Sequence, residues 1–425
     1  MPVKKKFAIQ YSFYFNHLIV ILVLLCCFSG AAQAQDTVAA DSSTVTPVKD
    51  LQGILKQLFK KNKDTTTVAK EPKTIAILPS IGYNPSFGVV LGAKLSAVKR
   101  LGDDDKTSLS SFGLEGIYTT KGIVTAQARH NVFLKGNKWN FQGNWQLSKF
   151  LITDYSIGTG NKNYLTDSDS AFLIRFNIIR LTEKAYRKIG GNFYAGAGIS
   201  FDIRYKIDDE KLATLKSTPH YRYSLRNGFD TTKYYANGLL LALQYNTREH
   251  PLRSYGGLYA DLSLRFNQQW LGSTKDAIQV MYDIRKYVSL SRKNPEHVLA
   301  FWHWASYKLS GKVPYLELPA TAYDTYNRSG RAYTIGRFKG PSYACFETEY
   351  RFPITNNKLI SGVAFMNFQT ASDDLEKKIF QFWDTAAGGG LRILFQKDSR
   401  STICIDYAKG KYGSGGFFFG LNEVF

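Results

Sequence analysis

The stretch "SGRAYTIGRFKG" at residues 329–340 sets three cations, Arg331, Arg337 and Lys339, and two aromatics, Tyr333 and Phe338, between glycines. These residue types make and break no covalent bonds on their own. What they can do is hold anions, because a guanidinium is a planar fork that grips a carboxylate through two parallel hydrogen bonds. The segment that follows, "SYACFETEYRF", alternates with a period of two and reads as a strand. Tyr343, Cys345, Glu347, Glu349 and Arg351 share one face of it, and Ala344, Phe346, Tyr350 and Phe352 share the other. Arg331 is therefore expected to pair with Glu347 or Glu349, making 329–340 a loop hooked onto its own strand.

No catalytic, cofactor or metal constellation accompanies the hook. The histidines, His297 and His303 included, have no cysteine or carboxylate partners at ligand spacing. "GGG" at 388–390 lies in a strand pattern, without the following helix that a phosphate loop needs. "YGSGG" at 412–416 reads as a hairpin turn. The expectation is that the protein is not an enzyme.

The elements that must position the hook follow from the rest of the chain. Lys4, Lys5 and Lys6, an apolar run at 18–28 and Ala32-Gln33-Ala34 form a secretory leader, with cleavage expected after Ala34. Residues 35–73 are a polar linker. Within them, 48–61 reads as a short amphipathic helix, with Val48, Leu51, Leu55, Leu58 and Phe59 on one face and lysines around it. That apolar face must be covered by the inner leaflet, the periplasmic mouth of a barrel or a partner protein; the mouth is the favoured place.

From Thr74 to Phe425 the chain shows sixteen alternating segments: about 74–82, 86–98, 108–119, 122–134, 138–149, 170–182, 190–204, 235–247, 255–267, 275–290, 296–309, 341–353, 358–370, 385–396, 400–409 and 415–425. In "WNFQGNWQLS", Trp139, Phe141, Trp145 and Leu147 oppose Asn140, Gln142, Asn144, Gln146 and Ser148. Sixteen apolar faces are too many to bury against one another in one sandwich, whereas a wall with lipid outside and water inside needs no second layer. The expected fold is all-β: a 16-stranded antiparallel transmembrane β-barrel at 74–425, preceded by the signal peptide at 1–34 and the short periplasmic segment at 35–73.

Formal charge is +21, and the three leader lysines account for three of it, leaving +18. There is no basic helix, zinc finger or RNA-binding pattern, and export removes the usual target, so nucleic acid is not expected as a partner. The cations are instead expected to line a lumen and face anionic lipid heads, with outer-membrane lipid and lipopolysaccharide as neighbours. Cys345 and Cys404, three strands apart, are beyond the roughly 7 Å reach of a disulfide and are expected to be free.

"GRAYTIGRFKGPSYACFETEYRFPI" is similar to the sixth-loop and twelfth-strand region of the BamA/TamA superfamily, the bacterial surface antigen barrel. Arg331, Ala332 and Tyr333 stand for its Arg-Gly-Tyr/Phe triplet, and Gly336, Arg337, Phe338 and Lys339 for its Gly-Arg-Tyr-Arg. Glu349, Arg351 and Pro353 fit the strand that follows. "YNTREHPLRSYGGLYADL", "GGGLRILF" and "ICIDYAKG" resemble three further strands of the family. Two departures stand out. Ala332 replaces the central glycine, and Asn367 replaces an aspartate on the thirteenth strand, which is expected to weaken half of the anion cage.

The resemblance implies a loop anchored in the lumen by Arg331, Tyr333, Arg337, Glu347, Glu349 and Asn367, and a bacterial outer-membrane location. It implies assistance to outer-membrane protein assembly or translocation, with outer-membrane or secreted proteins as clients. The family's assembly members carry POTRA domains, which residues 35–73 are too short to hold. That keeps two alternatives open, a passive or gated pore for small solutes and a barrel docking a separate periplasmic partner. Pro79 in the first strand and Gly415, Gly416 and Gly420 in the last are expected to make their closure the weakest pairing, a lateral seam. Phe425, counted back by twos through Leu421, Phe419 and Phe417, resembles the C-terminal targeting signal of bacterial outer-membrane barrels.

Overall fold

The computed structural model describes residues 47–59, 75–84, 88–102, 107–160 and 172–425. All of them belong to one compact unit, Pro47–Phe425. The expected leader and cleavage site lie outside the described residues.

A helix, α1 (Leu51–Phe59), precedes the strands. These are β1 (Ile75–Asn84), β2 (Gly88–Arg100), β3 (Leu109–Thr119), β4 (Val124–Phe133), β5 (Trp139–Asp154), β6 (Phe172–Gly190), β7 (Phe193–Asp209) and β8 (Tyr234–Asn246). They continue as β9 (Gly257–Asn267), β10 (Ala277–Ser289), β11 (Val298–Gly311), β12 (Ser342–Pro353), β13 (Ile360–Ala371), β14 (Asp384–Gln396), β15 (Ser401–Gly410) and β16 (Gly415–Leu421). Two helices, α2 (Leu212–Leu215) and α3 (Pro219–Asn227), interrupt the connection from β7 to β8. The strands form one sheet in chain order, each antiparallel to the next. β1 also lies beside β16; among the described residues no backbone ladder joins those two.

The sheet is inside-out relative to a soluble protein. In β5, Trp145 and Leu147 are 48% and 59% exposed on the outer face, while Asn144, Gln146 and Ser148 are buried on the inner one. Amides and hydroxyls can sit inside because they bond one another: Gln127 Nε2 donates to Asn144 Oδ1 at 2.7 Å and Ser148 Oγ to Thr125 Oγ1 at 2.9 Å. The connection 312–341 lies among these inner faces. Tyr333 and Phe338 pack there against Trp302, Tyr343 and Phe365, and Val313, Tyr315, Leu316 and Leu318 pack with Tyr223 of α3 and Tyr234 of β8.

Two expectations need correction. β6 runs to Gly190, well past 182. Its outward positions there are Glu183, Ala185, Arg187 and Ile189, so charged residues interrupt the apolar face while the strand continues. Glu183 accepts from Trp145 Nε1 at 3.1 Å, and Arg187 lies over the Trp139 ring at 5.8 Å. The last strand stops at Leu421, not Phe425. Asn422, at φ +67°, turns the chain out of the sheet. Phe425 is buried on the inner side against Trp302 and Tyr287, so it is not a lipid-facing residue at the end of an alternating strand.

α1 sits at the end of the sheet that carries turns 354–359 and 397–400. Lys49 N donates to Asn357 O at 3.0 Å and Lys397 N to Asp50 Oδ2 at 2.9 Å. Asp50 Oδ1 also accepts from Gly53 N at 2.8 Å, capping the helix.

Candidate functional site: an inward loop hooked to the wall

The inner face of β12 presents Glu347 and Glu349 two residues apart, both wholly buried, as strand pleating requires. The guanidinium of Arg331 descends onto both. Its Nε donates to Glu347 Oε1 at 2.8 Å, and Nη2 donates to Glu347 Oε1 and Glu349 Oε2, each at 2.5 Å. Nη1 reaches Asp406 Oδ2 on β15 at 3.1 Å. The flat face of the same guanidinium rests on the Phe365 ring at 3.4 Å, a stacking that lysine could not supply. Asn367 touches the loop backbone instead, its Nδ2 donating to Arg331 O at 3.0 Å. Burial alone would lower the pKa of Arg331; Glu347, Glu349 and Asp406 together more than reverse this and hold it above the usual arginine range.

The turn that aims Arg331 has a left-handed residue, Ala332 at φ +86°. This is where the resembling family has glycine, and the alanine accepts a conformation its Cβ disfavours.

Tyr333 and Arg337 do not join the carboxylates. Tyr333 Oη donates to Thr385 O at 2.6 Å and accepts from Lys411 N at 2.9 Å. A Cβ on Gly410 would come within 2.7 Å of the tyrosine ring, so glycine is what leaves room for it. Burial pushes the Tyr333 phenol up to about 12. Arg337 lies 4.0 Å from the Tyr155 ring and 5.3 Å from that of Tyr412, and its Nε and Nη2 meet no hydrogen-bond partner. Burial lowers its pKa. Lys339 pairs with Asp154 Oδ1 at 2.9 Å and tethers the loop to β5.

Several residues of the site were missed in the sequence. Arg351 donates to Glu349 Oε1 at 2.6 Å. Asp406 also accepts from Arg392 of β14, at 2.5 Å. Arg392 in turn donates to Glu423 Oε2 at 2.7 Å, and Arg253, from the turn after β8, stands 3.3 Å from Glu423 Oε1. Their signal was available in part: Arg351, Arg392 and Asp406 all fall on inner-face positions of their strands. What spacing could not reveal is the register that sets β14 and β15 beside the loop anchored on β12.

At the proposed seam, Pro79 pairs in register with Ala93 of β2. Gly415, Gly416 and Gly420 face Lys409, Ala408 and Cys404 of β15. Cys345 and Cys404 are both buried and free. Among the described residues no group of three or more His, Cys, Asp or Glu could hold a metal.

This architecture has relatives. The sheet resembles BamA from Haemophilus ducreyi lacking POTRA domains 1–3, with TM-score 0.54, 15% identity, 83% of this chain and 70% of that one covered. It also resembles CdiB from Escherichia coli, with TM-score 0.51, 8% identity, 84% of this chain and 63% of that one. The chain thus spans somewhat less than two thirds of the CdiB chain. At these identities the likeness is one of fold. No curated protein matches by sequence. The pattern of the Omp85 superfamily domain matches residues 124–425, most of the chain and all of the hook. The chain therefore belongs to the Omp85 superfamily and is an outer-membrane protein.

Proposed function

We propose that this protein helps insert other polypeptides into the outer membrane or pass them across it. In this reading β1 and β16 close sixteen strands into a wall, and their junction opens sideways to lipid. The observation that carries it is the junction itself. Among the described residues every other neighbouring pair of strands is laddered, whereas β1 and β16 only lie side by side. Pro79 offers β1 no N–H at its position, and the glycines of β16 add no side-chain packing. The hooked loop supports the same reading, because it fills the bore and leaves the wall as the place to yield. Clients are outer-membrane or secreted proteins, outer-membrane lipid and lipopolysaccharide surround the wall, and a separate periplasmic protein is a further partner. No catalysis is part of the proposal.

A second reading, a gated pore for small solutes, draws on a lumen cavity of about 310 Å³ lined by Lys94, Arg129, Arg265 and Arg285 with Glu115 and Asp283 beside them. The outer-membrane proteome after depletion separates the two. Broad loss of other barrels is expected from insertion; an unchanged proteome, with altered uptake of small solutes, would overturn it in favour of the pore.

A further inference from the structure

We propose that the inner wall between β10 and β14 is a peptide-binding groove, that residues 421–425 are its in-chain occupant, and that it accepts from other polypeptides a strand end with a carboxylate two positions before an aromatic. This deepens the reading that polypeptides enter the bore, and rests on it. After Asn422 turns inward, "EVF" belongs to no ladder; the last sheet bond nearby is Asn422 N to Thr402 O at 2.7 Å. The segment instead crosses toward β10, β11 and β12, on strands far from β16 in the sheet.

Its contacts are of two kinds. Arg328 of the inward loop donates to the backbone carbonyls of Leu421 at 2.7 Å, Asn422 at 3.3 Å, and Glu423, and Arg351 Nη2 donates to Phe425 O at 2.8 Å. Any extended peptide offers such carbonyls. The others are sockets for particular side chains. Glu423 enters a pair of arginines, Arg392 and Arg253. Phe425 stacks on Trp302 at 5.2 Å and 29°, with Tyr287 and the Arg351 guanidinium around it. Together the sockets read a carboxylate, a spacer and an aromatic.

The groove also has spare capacity. Arg351 Nη1 is buried without a hydrogen-bond partner, so the present occupant does not exhaust it. Residues 422–425 border the lumen cavity, so a competing chain can reach them without dismantling the wall. Asp406 accepts from both Arg392 and Arg331, so a change of occupant is felt at the loop hook.

The test uses the full chain in detergent and a fluorescein-labelled peptide with the sequence of residues 420–425. An occupied groove lowers apparent affinity by its free fraction. The Glu423→Gln/Phe425→Ala variant is expected to bind the peptide at least about tenfold more tightly than the parent protein, and a peptide with Gln for its Glu is expected to bind at least about tenfold more weakly than the original. An Arg253→Cys/Glu423→Cys disulfide, in a background with Cys345 and Cys404 replaced by serine, is expected to abolish binding while the barrel keeps its folded mobility on gels. Equal binding to parent and variant, or binding indifferent to the carboxylate or the crosslink, would overturn the groove. Loss of peptide binding alongside a proteome that still depends on the protein would sink the groove alone, and the converse would sink insertion alone.

Discussion

Arg331 Nη1 and Asp406 Oδ2 are 3.1 Å apart, which ties the inward loop to β15, the strand laddered to β16. The pairing changes the meaning of Asn367. With an amide where the resembling family has an aspartate, the cage around Arg331 would be one carboxylate short. Asp406 restores it from β15, two strands further along the same wall, and Arg392 of the intervening strand pairs with Asp406 at 2.5 Å and holds it in place. The loop is thereby fixed to β12 and β15 at once.

Removing one member of this network leaves buried charge unmatched. Arg331→Ala would strand Glu347, Glu349 and Asp406 together, and Glu349→Ala would leave Arg331 and Arg351 short of an acceptor. Each is expected to cost roughly 3–5 kcal/mol where water stays excluded, less if the lumen admits it. The readouts are the temperature at which the folded gel band disappears and the protease resistance of loop 312–341. Parent-like behaviour of both variants in both assays would remove the hook from the account.

Ala332 offers the opposite experiment. Its φ of +86° suits glycine, so Ala332→Gly should relieve strain of order 1 kcal/mol, partly offset by the greater freedom of glycine in the unfolded chain. A small rise in melting temperature is expected, and Ala332→Val should lower it. A fall with glycine would mean that the alanine methyl contributes packing that outweighs its strain.

Much of this was legible in the sequence because a barrel wall writes its two solvents into alternate residues. The ten residues from Trp139 to Ser148 already distinguished inner from outer faces, and the short spacing from Arg331 to Glu349 brought two carboxylates within the loop's reach. The misses share a cause. Spacing along the chain does not encode the register between neighbouring strands or how far an inward loop reaches over them, so Arg392 and Asp406, on β14 and β15, stayed invisible as partners of the hook. The end of the last strand was misplaced for a different reason. Period-two counting ran straight through Asn422, where the backbone turns, although Glu423 standing out of phase was the warning.

The seam yields a prediction about motion. Cysteine pairs scanned along β1 and β16 should form disulfides, because the strands lie side by side. If the junction must open, crosslinked protein should lose activity in a reconstituted insertion assay and regain it on reduction. Full activity with the crosslink in place would rule out lateral opening there.

Acid should loosen the turn at 247–256, outside the spanning strands. His250 Nδ1 accepts from Leu252 N and Arg253 N, both at 3.2 Å. Burial, then Arg400 and Arg248, lower its pKa to about 3. Of the neighbouring acids, Glu249 is already paired with Arg400, at 3.2 Å. The folded state therefore keeps this imidazole neutral, while the unfolded chain protonates near 6.5. Its contribution is complete above pH 6.5 and falls as pH drops from there toward 3. Amide exchange at Leu252 and Arg253, corrected for intrinsic rates, should rise over that interval. His250→Asn keeps an acceptor without the titration and should flatten the profile; an unchanged slope would place the sensitivity elsewhere.

The last prediction concerns what obstructs the bore. The amphipathic pattern at 48–61 favoured the barrel mouth for that helix, yet α1 is tied to rim turns through Lys49 and Asp50. Among the described residues none of α1 lines the lumen cavity, whereas Asn422, Glu423, Val424 and Phe425 all do. Single-channel conductance should therefore respond unequally to two changes. Deleting residues 36–63 should leave the traces as they are. Asp50→Ala, which removes both a helix cap worth about 1 kcal/mol and the contact to Lys397, should expose α1 to protease with the same traces. Glu423→Gln/Phe425→Ala should raise the conductance or the frequency of opening, because the segment then loses a charge pair and an aromatic socket. Larger openings on deletion of 36–63, with the 423/425 variant silent, would make the helix the plug and the inward-turned segment a strut of the wall.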